Sequence, residues 1–226
     1  MSRLCLVIGN KKYSSWSLRP WILLRHADVA FDEVRIPLYR PDSKAELLRY
    51  SPSGKVPLLI DGELKIWESL AICEYIAERY PAAGLWPSDP ARRALARAAA
   101  SEMHAGFAAL RLELPMNCDG PRTGVQPSAD AQADIERIVA LWGDCRRHGG
   151  AGGPWLFGAY GVVDAMFAPV VLRFTTYRAA LPADAQAYVA TALADPALRE
   201  WIAAGRAERD VIPGAERGQL DRGATT

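Results

Sequence analysis

Residues 55–80, KVPLLIDGELKIWESLAICEYIAERY, decide the fold of this chain. Residues 56–60 form an apolar run, an Asp-Gly pair typical of a hairpin turn follows, and residues 64–67 alternate apolar with polar side chains. From there the hydrophobic spacing lengthens from two residues to about 3.6, which predicts a helix over 68–79. The segment is therefore interpreted as strand, turn, strand and helix.

The predicted helix begins with Glu68 and Ser69, an acid followed by a hydroxyl. The free amides at a helix N-terminus can bind a carboxylate, and Glu68 can bind an ammonium group. Together they suit the head group of an amino acid, although the same pair is also ordinary helix capping. Pro57 cannot donate a hydrogen bond to a sheet, so it marks either a strand entry or a cis turn.

The motif YSSWSLRPW, residues 13–21, follows the first apolar run of the chain. Pro20 is tolerated in the first turn of a helix, so this helix is expected to begin near Trp16, with Ser14 and Ser15 at its N-terminal end. Together the N-terminal elements give a βαβ unit followed by a ββα unit, which is typical of a thioredoxin-like domain. The predicted elements are strands 3–8, 32–37, 56–60 and 64–67 and helices 16–27, 43–50 and 68–79.

The remainder of the chain has a helical pattern. The segment YPAAGLWPSDP, with three prolines and a glycine, has the composition of a linker. We expect a thioredoxin-like α/β domain over 1–80, a linker over 81–90 and an all-α domain over 91–226, with a tail from about residue 211. Its predicted helices cover 92–114, 130–147, 164–180, 183–194 and 196–207, separated by glycine- and proline-containing loops such as 148–154.

Composition excludes several classes of protein. The chain has 226 residues, 50% of them hydrophobic and 23% charged, and no apolar run long enough to span a bilayer. It begins directly with a strand pattern and has no signal-peptide features, which favours a cytoplasmic location. A formal net charge of +1 argues against a nucleic-acid surface. The four cysteines are widely spaced without a CxxC pair, so neither a redox dithiol nor a zinc site is expected.

The 55–69 region and the YSSWSLRPW motif resemble the thioredoxin-like half of the cytosolic glutathione transferases. In that family a cis proline after a valine and an acid-serine pair bind the tripeptide. The serine pair followed by a second serine and an arginine is most similar to the zeta class, which has a cysteine where this chain has Trp16. The resemblance implies a glutathione transferase fold, glutathione as substrate or cofactor without a metal, a homodimer and a role in detoxification.

The resemblance also implies how the thiol is activated. A free thiol is only a few per cent thiolate at neutral pH, so the enzyme has to lower its pKa. Ser14 occupies the position of the activating serine and is the first candidate, and Ser15 is the second. Since serine is also a favoured N-cap residue, both could instead be helix caps.

The same resemblance assigns the glutathione-binding residues. Val56 would bind the cysteinyl unit through its backbone, as a strand edge made available by Pro57. Glu68 and Ser69 would bind the γ-glutamyl end. Lys55 would either pair with the glycine carboxylate or remain a solvated lysine.

A second substrate is expected between the two predicted domains. His104, Phe107 and Arg111 fall at i, i+3 and i+7 of a predicted helix, so that they share one face suited to an acidic or aromatic electrophile. The alternative is an ordinary packed helix with polar ends. Tyr13 and Trp16 could add apolar surface to the same cleft.

These residues favour conjugation of the glutathione thiolate to a soft electrophile, with glutathione and a small electrophile as partners and neither nucleic acid nor membrane. One alternative is a glutathione-dependent isomerase of the maleylacetoacetate type, against which Trp16 counts because it replaces the zeta cysteine. Another is a glutathione-binding protein with little catalysis. A thiol-disulfide reductase would require a cysteine at the start of the first helix, where this chain has serines.

Overall fold

The structure, a computed structural model, describes residues 3–149, 152–221 and 223. The other positions lie outside the described residues; they fall in the predicted 148–154 loop and near the two ends of the chain. The strands are β1 Leu4–Ile8, β2 Phe31–Arg35, β3 Leu58–Asp61, β4 Leu64–Trp67, β5 Arg122–Thr123 and β6 Gln219–Leu220. The helices are α1 Ser15–His26, α2 Ser43–Tyr50, α3 Ser69–Arg79, α4 Pro90–Ala105, α5 Ala108–Glu113, α6 Ala129–Gly149, α7 Val162–Thr176, α8 Ala183–Ala194 and α9 Pro196–Ala207.

The first four strands form one sheet in the order β2-β1-β3-β4. β1 is parallel to β2 and antiparallel to β3, and β3 is antiparallel to β4, as a βαβ unit followed by a hairpin requires. The predicted thioredoxin-like domain followed by a helical region is confirmed. α1 follows β1, so the N-terminus of α1 lies near the C-terminal end of β1. Because β3 runs antiparallel to β1, the first residues of β3 lie at the same end of the sheet.

The two faces of the sheet are covered differently because alternate residues of a strand point to opposite sides. Leu6 and Ile8 belong to the main core, which continues through α1 and α3 into the helical region. Val7 and Leu58 face the other way and pack with Leu47 of α2 in a small second core. α1 contacts α3, α7 and α9, so the helix that carries the serine motif lies between the sheet and the helical region.

α7 is the most completely buried helix of those described, and its start is held by a buried carboxylate. Asp164 accepts hydrogen bonds from the Gly161 amide at 3.0 Å, the Leu156 amide at 3.1 Å and the Tyr188 hydroxyl at 3.1 Å. Gly161 is the N-cap of α7, and it contributes only its backbone.

The predicted helix over 92–114 is wrong in one respect, because it is interrupted at Gly106 and Phe107. Phe107 has a φ of 63°, in the left-handed region, and becomes the N-cap of α5. A Cβ atom at Gly106 would lie 2.9 Å from the Glu102 carbonyl oxygen, so the tight break requires glycine. The predicted common helical face of His104, Phe107 and Arg111 therefore does not form.

The predicted tail from residue 211 is also wrong. Pro213–Ala215 forms a 3-10 turn, and β6 pairs with β5 in a two-stranded sheet. The segment is anchored to the thioredoxin-like region, because the Tyr13 hydroxyl donates to Glu216 at 2.6 Å. Pro20 lies inside α1, beyond the predicted first turn, because the helix begins at Ser15. Among the described residues, no helix is both long and apolar enough to cross a membrane.

Candidate functional site

A cavity of about 880 Å³ opens at the N-terminus of α1. Its walls come from the start of α1, the segment around α2, the entry to β3, the segment after α5, α7 and the C-terminal segment, and none of the described lining residues carries a carboxylate. Three cationic lining residues, Arg40, Lys44 and Arg173, were not predicted from the sequence. The lining residues are Tyr13, Ser14, Ser15, Trp16, Leu38, Tyr39, Arg40, Ser43, Lys44, Leu47, Gly54, Lys55, Val56, Pro115, Met116, Arg173, Ile212, Pro213, Gly214 and Ala215.

The entry to β3 has the predicted backbone. The Val56–Pro57 peptide bond is cis, and Lys55 and Val56 line the cavity while Pro57 is buried behind them. The backbone of Val56 precedes the first strand residue, Leu58, and is not part of the β1–β3 pairing. An extended peptide could therefore pair with it from the cavity.

Ser14 is the N-cap of α1, and its hydroxyl is directed into the protein. Its Oγ donates to the Ser17 Oγ at 2.8 Å and accepts from the Ser17 amide at 3.3 Å. Ser17 Oγ in turn accepts from the amide of Gly9, at the end of β1, at 3.1 Å. Ser14 is therefore a helix cap, which was the alternative to a catalytic role. It lines the cavity, but its proton is already donated to Ser17.

Ser15, the first residue of α1, is bonded differently. Its Oγ accepts a hydrogen bond from the Arg173 Nη2 at 3.3 Å, and no described residue accepts a hydrogen bond from its hydroxyl. Ser15 lines the cavity at the positive end of α1. Of the two predicted serines, Ser15 is the one whose hydroxyl can donate to a ligand.

Trp16 is at the centre of a group of cationic side chains. The guanidinium carbon of Arg19 lies 4.4 Å from a Trp16 ring centroid and that of Arg111 lies 4.8 Å away. The His104 ring meets Trp16 edge-on at 5.3 Å. Burial and nearby Arg19 lower the pKa of His104, so at neutral pH the cationic charge around Trp16 comes from the arginines.

Glu68 and Ser69 lie beside this group, outside the set of residues that line the cavity. Glu68 has a φ of 69° and its carboxylate lies 3.7 Å from the His104 Nε2. Ser69 is fully buried and accepts a hydrogen bond from the Arg19 Nη1 at 3.3 Å. Glu68 is the exposed member of the pair and the one whose charge can reach a ligand directly.

The residues proposed for the second substrate are divided by the structure. Tyr13 and Trp16 line the cavity, and His104 and Arg111 reach Trp16 from behind. The Arg111 guanidinium donates to the carbonyls of Gly106 and Met103, so it is held by backbone groups. Phe107 is a core residue. None of His104, Phe107 and Arg111 lines the cavity, so we withdraw all three from the electrophile site and keep Tyr13 and Trp16.

Tyr13 contributes a surface to the cavity but no proton. Its hydroxyl donates to the Glu216 carboxylate at 2.6 Å. Burial, followed by this hydrogen bond and the charge of Glu216, raises the pKa of Tyr13. Its proton is committed to Glu216, so among the hydroxyls of Tyr13, Ser14 and Ser15 only that of Ser15 donates to no described residue.

Arg173 is a buried residue of the candidate site that sequence reasoning missed. It is 4% exposed and lies in α7, VVDAMFAPVVLRFTT, in which Asp164 and Arg173 are the only charged side chains. The signal was available, because a lone arginine in an otherwise apolar buried helix needs polar partners. Its partners could not be read from the sequence, since Ser15 is 158 residues away along the chain.

Comparisons with known proteins agree with this geometry. A family model described as "Glutathione S-transferase, N-terminal domain" matches residues 13–79, which contain the serine motif, Pro57 and the Glu68-Ser69 pair. A probable maleylacetoacetate isomerase of Caenorhabditis elegans is 32% identical over 138 residues, which is 60% of this chain and 63% of that protein. Glutathione S-transferase F10 of Arabidopsis thaliana is 41% identical over 69 residues, 30% of this chain and 32% of that protein. The chain spans less than two thirds of the length of these curated relatives.

Solved structures extend the likeness of fold to nearly the whole chain. A glutathione transferase homologue from Burkholderia, crystallised with bound glutathione, has a TM-score of 0.68 at 22% identity, over 92% of this chain and 100% of that one. At this identity the likeness shows the fold alone. Residues 13–79 are thus similar to the N-terminal domain of the glutathione S-transferases, and the chain as a whole has the fold of the solved glutathione transferase structures.

Proposed function

We propose that this protein is a glutathione transferase that binds glutathione in the cavity at the start of α1 and transfers its thiolate to a soft electrophile. The observation that carries the proposal is the Ser15 hydroxyl, which lines the cavity at a helix N-terminus and donates to no described residue. A hydroxyl there can donate to a thiolate, and the helix amides add a favourable potential.

Glutathione fits the charges around this hydroxyl. The Val56 backbone would pair with the cysteinyl unit, and Lys55 together with Lys44 would face the glycine carboxylate from the cavity wall. Glu68 would bind the γ-glutamyl ammonium, with Ser69 and the first amides of α3 near its carboxylate. A cavity lined by cations and by no carboxylate of the described residues suits a tripeptide with two carboxylates.

The chemistry follows from this placement. The thiol proton leaves to solvent, the negative charge stays on sulfur, and the Ser15 hydroxyl stabilises it. The sulfur then attacks an electrophile held against Tyr13 and Trp16, which line the same cavity. The division of the chain into a glutathione-binding domain, a linker over 81–90 and a helical domain is part of this proposal, as are the homodimer and the cytoplasmic location.

Glutathione-dependent isomerisation is the second candidate, and the similarity to a probable maleylacetoacetate isomerase favours it. In such a reaction the thiolate adds to a double bond and is released after rotation, so the binding residues would be the same and glutathione would not be consumed. Trp16 stands where the zeta-class motif has a cysteine, which is why we rank conjugation first.

One experiment separates these readings. Glutathione is titrated into the protein by calorimetry, and the complex is then assayed with chlorodinitrobenzene, an organic peroxide and maleylacetone. We expect submillimolar binding, on the scale of ordinary enzyme substrates, and conjugation of the first electrophile. Turnover of maleylacetone alone would identify an isomerase, and binding without turnover a glutathione-binding protein. Absence of binding would refute the proposal.

A further inference from the structure

Arg173 is a buried cation that lines the cavity. Within the described residues it forms no ion pair, and its Nε has no hydrogen-bond partner. Its Nη1 donates to the carbonyls of Leu114 at 2.6 Å and Arg111 at 3.3 Å, and its Nη2 donates to Ser15. Burial of an unpaired charge costs several kcal/mol, and because Arg173 lines the cavity, an anionic ligand bound there would offset this cost.

The surroundings of Arg173 are positive. Burial, followed by the charge of Arg111, lowers the pKa of Arg173 to about 9, so that the guanidinium is still protonated at neutral pH. Arg19 in turn is affected by both Arg111 and Arg173, and burial is the main cause that lowers its pKa. The three arginines therefore share one region, and an anion at the cavity end of Arg173 would lower the energy of all of them.

The hydrogen bond from Arg173 also fixes the direction of the Ser15 hydroxyl. Because the Nη2 group occupies an acceptor site of Oγ, the O–H bond points away from the guanidinium. A donor on the oxygen polarises the hydroxyl, which strengthens the hydrogen bond that it can donate in turn. The Ser14 Oγ accepts instead from the uncharged Ser17 amide, and its own proton is already donated to the Ser17 Oγ.

We propose that Arg173 is the positioning residue for thiolate formation: it orients and polarises the Ser15 hydroxyl and supplies the positive charge that balances the sulfur anion. The inference rests on the proposed function. No oxidation is involved, since the S–H bond breaks, its proton passes to solvent and the electron pair remains on sulfur.

The test is the pKa of the thiol of bound glutathione, followed by the ultraviolet absorbance of the thiolate across a pH series. The proteins compared are the wild type, Arg173→Gln, Arg173→Lys, Ser15→Ala and the double variant Ser15→Ala with Arg173→Gln. Arg199→Gln, which removes an exposed arginine of α9 bonded only to the Leu193 carbonyl, controls for the loss of one charge.

We expect Arg173→Gln to raise the thiol pKa by about 1 to 2 units, a 10- to 100-fold loss of thiolate, which is the scale of one hydrogen bond to a charged group. Arg173→Lys should raise it by roughly half as much, because an ammonium keeps the charge but lacks the planar fork that reaches Ser15 and two carbonyls together. The double variant should shift by less than the sum of its two single changes, because the part of the Arg173 effect that acts through the Ser15 hydroxyl is already lost in Ser15→Ala. Arg199→Gln should leave the pKa unchanged.

The inference is overturned if folded Arg173→Gln titrates like the wild type, or, should that variant not fold, if Arg173→Lys does. Additive shifts in the double variant would also overturn it, since they would show Arg173 and Ser15 acting independently. Failure of this inference is distinguishable from failure of the proposed function. If the proposed function is wrong, the wild type does not bind glutathione at all, and the role of Arg173 is wrong with it.

Discussion

Two helix starts in this molecule gather polar side chains in the protein interior, and they differ in how completely those groups are satisfied. At the start of α7, Asp164 receives hydrogen bonds from Leu156, Gly161 and Tyr188. At the start of α1, the buried cation Arg173 meets the Ser15 hydroxyl, and no described carboxylate pairs with it. The residues of the first group do not line the cavity and the hydrogen bonds to their carboxylate are complete, whereas Ser15 and Arg173 line the cavity and lack a counter-ion among the described residues.

The comparison distinguishes buried polar groups that stabilise the fold from buried polar groups that can bind a ligand. A buried group whose partners are all present stabilises one conformation, and its removal leaves those partners unsatisfied. A group with a missing partner raises the energy of the free protein until a ligand completes it. The same residue types at a helix start can therefore serve either purpose, and only the count of partners tells which.

The largest effect is expected at the start of α7. Asp164→Ala should lower the free energy of unfolding by about 3 to 5 kcal/mol at pH 5, because three buried donors would each lose an acceptor at about 1 to 3 kcal/mol. Urea denaturation followed by circular dichroism measures this. Asp184→Ala, at an exposed acid in the first turn of α8, is the matched control and should cost less than about 1 kcal/mol. A loss below about 1 kcal/mol for Asp164→Ala would contradict the view that α7 is held by this carboxylate.

The second effect is the pH dependence that Asp164 gives to stability. Burial raises the pKa of this carboxyl from its ordinary 3.8 to about 6, partly offset by its hydrogen bonds. A folded pKa above the unfolded one means that the folded protein binds the proton more tightly, so this contribution is complete below about pH 4 and is lost as the pH rises through 6. This pKa shift contributes on the order of 3 kcal/mol to the free energy of unfolding.

The measurement is the difference in unfolding free energy between the wild type and Asp164→Ala at pH 4, 5, 6 and 7. Other carboxyls such as Asp210, whose pKa is lowered by the hydrogen bonds from Arg35 and Arg40, act in the opposite direction and cancel in this difference. We expect the difference to shrink as the pH rises. A difference that grows with pH would show that the ionised form of Asp164 is the one the fold stabilises.

Local patterns predicted the elements that depend on neighbouring residues. The hairpin and helix of residues 55–80 follow from spacing and residue type over a short stretch, whereas the cis bond before Pro57 was one of two local alternatives and was implied by the family resemblance. The break at Gly106 was missed because a single glycine is tolerated within a helical pattern.

Contacts between distant residues could not be predicted in this way. The bonds from Tyr13 to Glu216 and from Arg173 to Ser15 join positions 203 and 158 residues apart. The choice between Ser14 and Ser15 depended on such a contact, since both are serines at the same helix start. Residue type alone could not show which hydroxyl the surrounding chain had already used.

The third prediction concerns the start of α1. Ser15→Ala should lower the turnover number by about 10- to 1000-fold, the scale of losing one preorganised donor to a developing charge, and should move the pH-rate profile to higher pH. The affinity for glutathione below the thiol pKa should change little, because the hydroxyl acts on the charge at sulfur. Steady-state kinetics across pH, with calorimetry for binding, measures both. An unchanged pH-rate profile would remove Ser15 from thiol activation.

The smallest effect on activity is expected for Ser14, at the start of α1. Ser14 lines the cavity, but its hydrogen bonds are complete, as those of Asp164 are. Its hydroxyl caps the helix through Ser17, so Ser14→Ala should lower the free energy of unfolding by about 1 kcal/mol, the usual loss of an N-cap. The pKa of the bound thiol should stay where it is in the wild type, and the turnover number should remain within about threefold, a difference of under 1 kcal/mol. Ser15→Ala, measured in the same buffers, is the matched control and should show the reverse pattern. The opposite outcome would be a shifted thiol titration in Ser14→Ala and an unchanged one in Ser15→Ala. In that case the Ser14 hydroxyl turns from Ser17 to the sulfur when glutathione binds, and the roles assigned to the two serines from the free protein are wrong.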